Sequence, residues 1–199
     1  MQETIIDLIR HGEPVGGSRY RGHNIDDPLS EKGWQQMWSA VGKRQQWQHI
    51  ISSPMQRCRD FAEALAQKQQ LYTVVVEDLK EIGFGSWEGK TRQEVKTEFG
   101  EAYNAFYQDP VNARPQGAEN LDSFISRVCR AYDDVVAKTS GKHSLIVAHA
   151  GVIRAIVAHT VCAAPRGLYN IQIDNGGITR IQHGKYGASL LFLNRKLED

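Results

Sequence analysis

Ile6-Asp7-Leu8-Ile9-Arg10-His11-Gly12 and Leu145-Ile146-Val147-Ala148-His149-Ala150-Gly151 share one local grammar. Each is a short apolar run, rich in β-branched residues, that stops at a histidine with a glycine close behind. Runs of this length and composition read as strands buried in a sheet. In α/β sheets, ligands gather beyond the carboxyl ends of the strands. If the two strands are neighbours, both imidazoles meet at that edge. The glycines let the chain turn there and present backbone N–H groups to an anion. One histidine at a strand end is ordinarily a half-buried, hydrogen-bonded side chain; two in the same setting point to a site.

Outward from these runs, strands and helices alternate. Thr4 to Ile9 reads as a strand, and Ser30 as the N-cap of a helix reaching about Gln46, with Trp34, Trp38 and Val41 on its core face. His49 to Ser52 reads as a second strand. Pro54 suits the first turn of a helix that runs to about Gln69. Tyr72 to Val76 is another β-rich run. Leu121 to Thr139 carries Phe124, Val128, Tyr132 and Val135 at helical spacing. Ser144 to Ala148 is a buried strand, followed by a helix from about Gly151 to Val161. Ile171 to Ile181 and Ser189 to Leu193 read as strands with a glycine-rich turn between. The alternation predicts an α/β sandwich around a mostly parallel sheet. No stretch reads as a long linker, so residues 1–199 are expected to form a single domain.

Composition narrows the function classes. Of the 199 residues 41% are hydrophobic, which excludes disorder for most of the chain. Lys and Arg number 24 against 23 Asp and Glu, for a net charge of +1. Nothing in that balance calls for a polyanion, so no nucleic-acid partner is expected, and any anion binding must come from a local arrangement of basic residues. The three cysteines, Cys58, Cys129 and Cys162, are widely spaced and read as reduced bystanders. Met1-Gln2-Glu3-Thr4 does not read as a signal peptide, and no apolar stretch approaches the ~20 residues that span a bilayer. A soluble, cytoplasmic protein without a membrane partner is expected, as monomer or homodimer.

A third element joins the histidines. Arg10 directly precedes His11, and Ser52-Ser53-Pro54 introduces Arg57 one turn into a helix that again follows a strand. Helix N-termini favour anions. Arg59 reads as part of a solvated helix face. The five further histidines are scattered without ligand spacing, so neither metal nor cofactor is expected.

Leu8-Ile9-Arg10-His11-Gly12-Glu13 resembles the signature of the histidine phosphatase superfamily, in its phosphoglycerate mutase-like branch. Four more segments match in order: Pro28 to Gly33, Ser53-Pro54-Met55-Gln56-Arg57-Cys58, Leu79 to Gly89, and Ala148 to Arg154. The resemblance implies a three-layer α/β/α fold and catalysis without a metal. It makes His11 the nucleophile of a phosphohistidine mechanism and His149 the second histidine, with Arg10, Arg57 and Ala150 completing the phosphate-binding set. Arg10 and Arg57 suit this chemically, because a guanidinium donates two parallel hydrogen bonds to phosphate. Glu81 matches the acidic position of the acceptor loop and is expected to be the general acid for the leaving alkoxide, then general base toward water. Glu88 and Glu13 are its rivals. Glu119, in Gln116-Gly117-Ala118-Glu119-Asn120, resembles a Pro-Gly-Gly-Glu-Ser stretch of the family, or sits at a helix start for dipole reasons.

Mutases of the superfamily carry Glu-Arg-His-Tyr-Gly where this chain has Glu81-Ile82-Gly83-Phe84-Gly85. The Arg and Tyr that hold a phosphoglycerate carboxylate are missing, which favours a phosphatase. Phe84 and Trp87 are expected to form an aromatic wall for the substrate. Gly17-Ser18-Arg19-Tyr20-Arg21-Gly22 resembles the Arg-Tyr-x-Gly stretch of α-ribazole phosphatases, which makes Arg21 and Gly22 substrate-binding candidates. The expected substrate is α-ribazole 5′-phosphate, in cobalamin biosynthesis. A broad-specificity small-molecule phosphatase, a phosphoglycerate mutase and a non-enzymatic phospho-ligand module are the alternatives. Pro14, where the family often has Ser or Thr, and Ala150, where Gly is common, depart from the pattern.

Overall fold

The computed structural model describes residues 3–43 and 47–197. One six-stranded sheet runs in the order β3-β2-β4-β1-β5-β6. β1 (Thr4–Arg10), β2 (His49–Ser52), β3 (Thr73–Val75) and β4 (His143–Ala148) are parallel, and β5 (Ile178–Gly184) and β6 (Gly187–Arg195) add an antiparallel hairpin at one side. The two histidine-ending strands are direct neighbours: Ile9 pairs with Val147 and Arg10 with Ala148. β2 lies on the other side of β4, with Ser52 opposite Val147. Three strand ends thus deliver Arg10-His11, Ser52-Ser53 and His149 to one edge.

The strands bury both faces, as their period of two requires. Ile146 and Ala148 join Ile6 and Leu8 under α5 (Leu121–Lys138) and α6 (Ala150–Thr160). Leu145 and Val147 join Ile9 and Ile50 under α1 (Glu31–Val41) and α2 (Gln56–Gln69). Two cores, one on each side of the sheet, make the architecture a three-layer α/β/α sandwich. Among the described residues no helix is long and apolar enough to cross a membrane.

Local signals place most boundaries. The Ser30 hydroxyl accepts the Gly33 N–H at 3.1 Å and caps α1. That helix stops at Val41 because Gly42 turns into positive φ, well short of Gln46, which lies outside the described residues. Trp34 and Trp38 are only half-buried and lean on Phe61 of α2. Pro54 precedes α2 instead of entering its first turn, since Met55 is the N-cap.

Two departures are larger. The span from Ile171 to Ile181 is not one strand: β5 begins at Ile178, and 171–177 is a loop that bends back over the end of β1. It leaves the sheet because its backbone groups are engaged by the site. Gly176 N–H donates to the Arg10 carbonyl at 2.9 Å, and Arg10 N–H to the Gly177 carbonyl at 3.2 Å. Two further helices, α3 (Arg92–Glu98) and α4 (Gly100–Gln108), cover the region after the acceptor loop. The signal for α3 is a capping box: Thr91 Oγ1 accepts Glu94 N–H while the Glu94 carboxylate accepts Thr91 N–H.

Candidate active site

His11 leaves β1 with its Nδ1 2.7 Å from the Gly12 carbonyl. A carbonyl only accepts, so Nδ1 carries the proton and Nε2 keeps its lone pair. Burial, then the charges of Arg57 and Arg10, hold the His11 pKa well below 6.5. The ring is therefore neutral at neutral pH, as a nucleophile must be.

Arg10 is fixed by one bond, Nη1 to the Ile173 carbonyl at 2.6 Å. Burial lowers its pKa to about 10, with Glu81 opposing and Arg154 adding to the shift, so it remains a cation. Arg57, almost wholly buried, is held from behind: Nη1 donates to the Ile25 carbonyl at 3.0 Å and Nη2 to the Gly22 carbonyl at 2.9 Å. The Nε of Arg10 and the Nε of Arg57 are both buried without a hydrogen-bond partner. Buried charged donors without partners are costly.

His149 lies against His11, ring centroids 5.2 Å apart in an edge-on arrangement. It is fully buried and does not line the cleft. Its Nε2 is 2.7 Å from the Ser53 hydroxyl, and Cys58 Sγ lies 3.6 Å from the same nitrogen. Burial, then Arg57 and His11, hold His149 well below 6.5, so it too is neutral. Ser53 and Cys58 are contacts that sequence reasoning missed; the Ser-Pro segment that introduces Arg57 supplies both.

Glu81 is half-buried at the cleft floor, its carboxylate accepting Ile82 N–H at 3.0 Å and Gly151 N–H at 3.2 Å. Gly151 leaves the carboxylate its present place, because a Cβ there would meet Glu81 Oε1. The loop that carries Glu81 is clamped from below. Arg127, on α5, donates to the carbonyls of Asp78, Lys80 and Glu81, and pairs Nε and Nη2 with Glu119 at 2.8 and 2.9 Å. Burial works against the charge of Glu119, but Arg127 holds its carboxyl below the usual range. Glu119 also accepts Gly83 N–H at 3.1 Å. It is thus an anchor for the acceptor loop, and Asn120, not Glu119, caps α5. Glu88 accepts Phe84 N–H at 2.8 Å and does not line the cleft. Glu13 lines it, but its carboxylate pairs with Lys32 at 2.9 Å.

The cleft above these groups has a volume of about 490 Å³ and is lined by Arg10, His11, Arg57, Glu81 and Ala150 among others. Arg21, Gly22 and Phe84 line it as expected. Arg21 is pinned to Asp27 at 2.9 Å and to the Val15 carbonyl at 2.6 Å. Trp87 corrects the expected aromatic wall. It is 1% exposed and packs among Phe106, Tyr103, Phe99 and Tyr20, out of reach of a ligand. The rings that do line the cleft with Phe84 are Tyr20, Tyr107 and Tyr169, and the additional cations are Arg19, Arg92 and Arg154. Tyr107 and Arg92 come from the α3–α4 segment. Arg154 is the last residue of a quoted motif, its spacing from His149 being the available signal. Among the described residues, no group of three or more His, Cys, Asp or Glu side chains could hold a metal ion.

Two of the following three similar proteins are phosphatases by name. The bifunctional protein Rv2228c of Mycobacterium tuberculosis is 31% identical over 190 residues, which are 94% of this chain and 52% of that protein, so the chain spans about half its length. An adenosylcobalamin/α-ribazole phosphatase of Salmonella typhimurium is 27% identical over 193 residues, 95% of each chain. The structure of the mycobacterial glucosyl-3-phosphoglycerate phosphatase Rv2419c superposes with a TM-score of 0.85 at 27% identity, covering 96% of this chain and 99% of that one. The sequence pattern of the histidine phosphatase superfamily (branch 1) matches residues 6–196, and with the paired histidines and arginines in place, the chain belongs to that superfamily.

Proposed function

We propose that the chain is a phosphomonoesterase that works through a phosphohistidine on His11, without a metal. The observation that carries this is the pair of buried, partnerless Nε donors of Arg10 and Arg57 beside a neutral His11 whose Nε2 is left unprotonated. The phosphate sits between the two guanidinium groups, which follow the charge that spreads over its equatorial oxygens. His11 Nε2 attacks phosphorus; the N–P bond forms as the ester P–O bond breaks. Glu81 gives its proton to the leaving alkoxide. It then takes a proton from water, whose oxygen attacks phosphorus and releases phosphate from His11. His149, buried against His11 and tied to Ser53, supports the nucleophile's ring from outside the cleft. Ala150, at the first turn of α6, brings the positive end of the helix to the phosphate.

For the substrate, the preferred reading is α-ribazole 5′-phosphate, hydrolysed in the cytoplasm during cobalamin assembly. The Salmonella relative, matched over 95% of both chains, supports it. So do the Phe84 and tyrosine rings, which suit a planar base, in a cleft of ordinary small-ligand size. A broader range of small phosphate esters is the second reading. Arg92 and Arg154 line the cleft with no carboxylate in salt-bridge range among the described residues, which favours substrates with a further acidic group. A chelator-treated phosphatase screen of wild type and His11→Ala tests the proposal, on α-ribazole phosphate, sugar phosphates and 3-phosphoglycerate. Hydrolysis that survives the chelator and vanishes in the variant is the expected result. Phosphoryl transfer exceeding hydrolysis, or an unimpaired variant, contradicts it.

A further inference from the structure

Asn194 stands on β6 where the pairing with β5 shifts register. Its φ is +53°, in the left-handed region that few residues other than glycine adopt and that asparagine tolerates. Both ends of its amide are spent on one loop. Oδ1 accepts Asp174 N–H at 2.8 Å, and Nδ2 donates to the Gln172 carbonyl at 2.9 Å. Gly177 makes room for it, since a Cβ there would stand 2.6 Å from Asn194 Oδ1.

The loop so clamped is the one that holds the nucleophile turn. Ile173, between the two clamped residues, offers its carbonyl to Arg10 Nη1 at 2.6 Å. Asn175 Nδ2 donates to the His11 carbonyl at 3.1 Å. Gly176 and Gly177 exchange backbone hydrogen bonds with Arg10. The side chain of Arg10 has no other anchor among the described residues, so the place of the Ile173 carbonyl decides where its guanidinium points. Asn194 itself does not line the cleft.

We propose that Asn194 is a positioning residue for phosphoryl transfer, acting through Ile173 to aim Arg10 and through the same loop to seat His11. The proposal rests on the reading of Arg10 and His11 as the phosphoryl-transfer site. Displacements of about 1 Å in such groups cost on the order of 10²-fold in rate, so a clamp remote from the substrate is felt in turnover.

Two variants separate this role from simple support of the fold. Asn194→Gly keeps the left-handed backbone without strain and removes both clamp bonds. Asn194→Asp keeps the backbone preference and the acceptor for Asp174 N–H but loses the donor. Three quantities are read: affinity for inorganic phosphate by calorimetry, kcat and KM on p-nitrophenyl phosphate, and the melting temperature. The expected result for Asn194→Gly is about tenfold weaker phosphate binding and a kcat lower by about tenfold or more. Its melting temperature stays well above that of the assay, and Asn194→Asp recovers part of both losses. Wild-type phosphate affinity and kcat in folded Asn194→Gly overturn the proposal. If Asn194→Gly does not fold, a folded Asn194→Asp with wild-type values overturns it, and one with intermediate losses supports it. Wild-type protein that binds phosphate but turns over no ester would remove the phosphatase reading instead, while phosphate affinity in the variants still decides the role of Asn194.

Discussion

The Nε of Arg10 and the Nε of Arg57 are buried donors without acceptors, a state that costs about 1–3 kcal/mol each, and more for charged groups. Both residues line the cleft, where the proposed substrate phosphate would supply acceptors. Arg57→Lys retains the charge but gives up the fork that reaches the Ile25 and Gly22 carbonyls. Steady-state kinetics on any accepted phosphate ester should show kcat/KM down by about 10²-fold; undiminished kinetics would take Arg57 out of the site. Trp87 and Phe84 separate in the opposite sense. Trp87→Ala should cost about 3–5 kcal/mol in urea unfolding because its pocket collapses poorly. Phe84→Ala should act chiefly on KM. Equal stability losses in the two would undo that distinction. His11, His149, Arg10 and Arg57 were legible in the sequence because strand ends and helix starts are local features. The fate of Trp87 was not, because it is decided by Tyr103 and Phe106 on a helix whose packing no local pattern reveals.

At the scale of elements, the acceptor loop is held by α5. One side chain, Arg127, takes the carbonyls of Asp78, Lys80 and Glu81, and Glu119 keeps its charge compensated. In the proposed mechanism, Glu81→Gln removes the proton that the leaving group needs. On an alkyl phosphate kcat should fall by roughly 10²–10⁴-fold, and on p-nitrophenyl phosphate, whose leaving group needs no proton, far less. Glu119→Gln, which loosens the loop without touching the cleft, should show a weaker version of the same contrast. A uniform loss across leaving groups would contradict the assignment of Glu81 as general acid. The loop's motif was readable from Leu79 to Gly89, but not the partner that fixes it. Arg127 lies far along the chain, in a helix whose apolar stripe draws attention away from it. The 171–177 loop was misread for a related reason: Ile171 and Ile173 look like strand residues, and the bonds that hold the loop out of the sheet, to Arg10, His11 and Asn194, are made with distant parts of the chain.

Across the whole molecule, three buried titratable groups tie stability to pH. Burial, with Arg57 next, holds His11 and His149 well below 6.5 when folded. The unfolded chain therefore binds more protons below about pH 6.5, and stability should decline as the solution is acidified past that point. Asp7 adds a later loss. Burial opposes its charge, but Arg180 and His143 hold its carboxyl below 3.8, so its contribution is present above 3.8 and disappears as pH falls through the folded value. Urea midpoints in phosphate-free buffer should drop from about pH 7.5 to about pH 5.5, with a smaller slope in His149→Asn; a flat series would contradict neutral buried histidines. The layered architecture was legible from the alternation of elements. The strand order was not, since β1 and β4 lie more than 130 residues apart in the chain and pair only in the folded sheet. That adjacency brings His149 against His11, and the central claim is that His11 carries the phosphoryl group in transit. The direct measurement is mass spectrometry of protein quenched at alkaline pH during turnover. A phosphoryl group on the peptide that contains His11, present in wild type and missing in His11→Ala, is the predicted result. Steady hydrolysis with no phosphoryl group on that peptide, while the quench preserves an authentic phosphohistidine standard, would contradict the account.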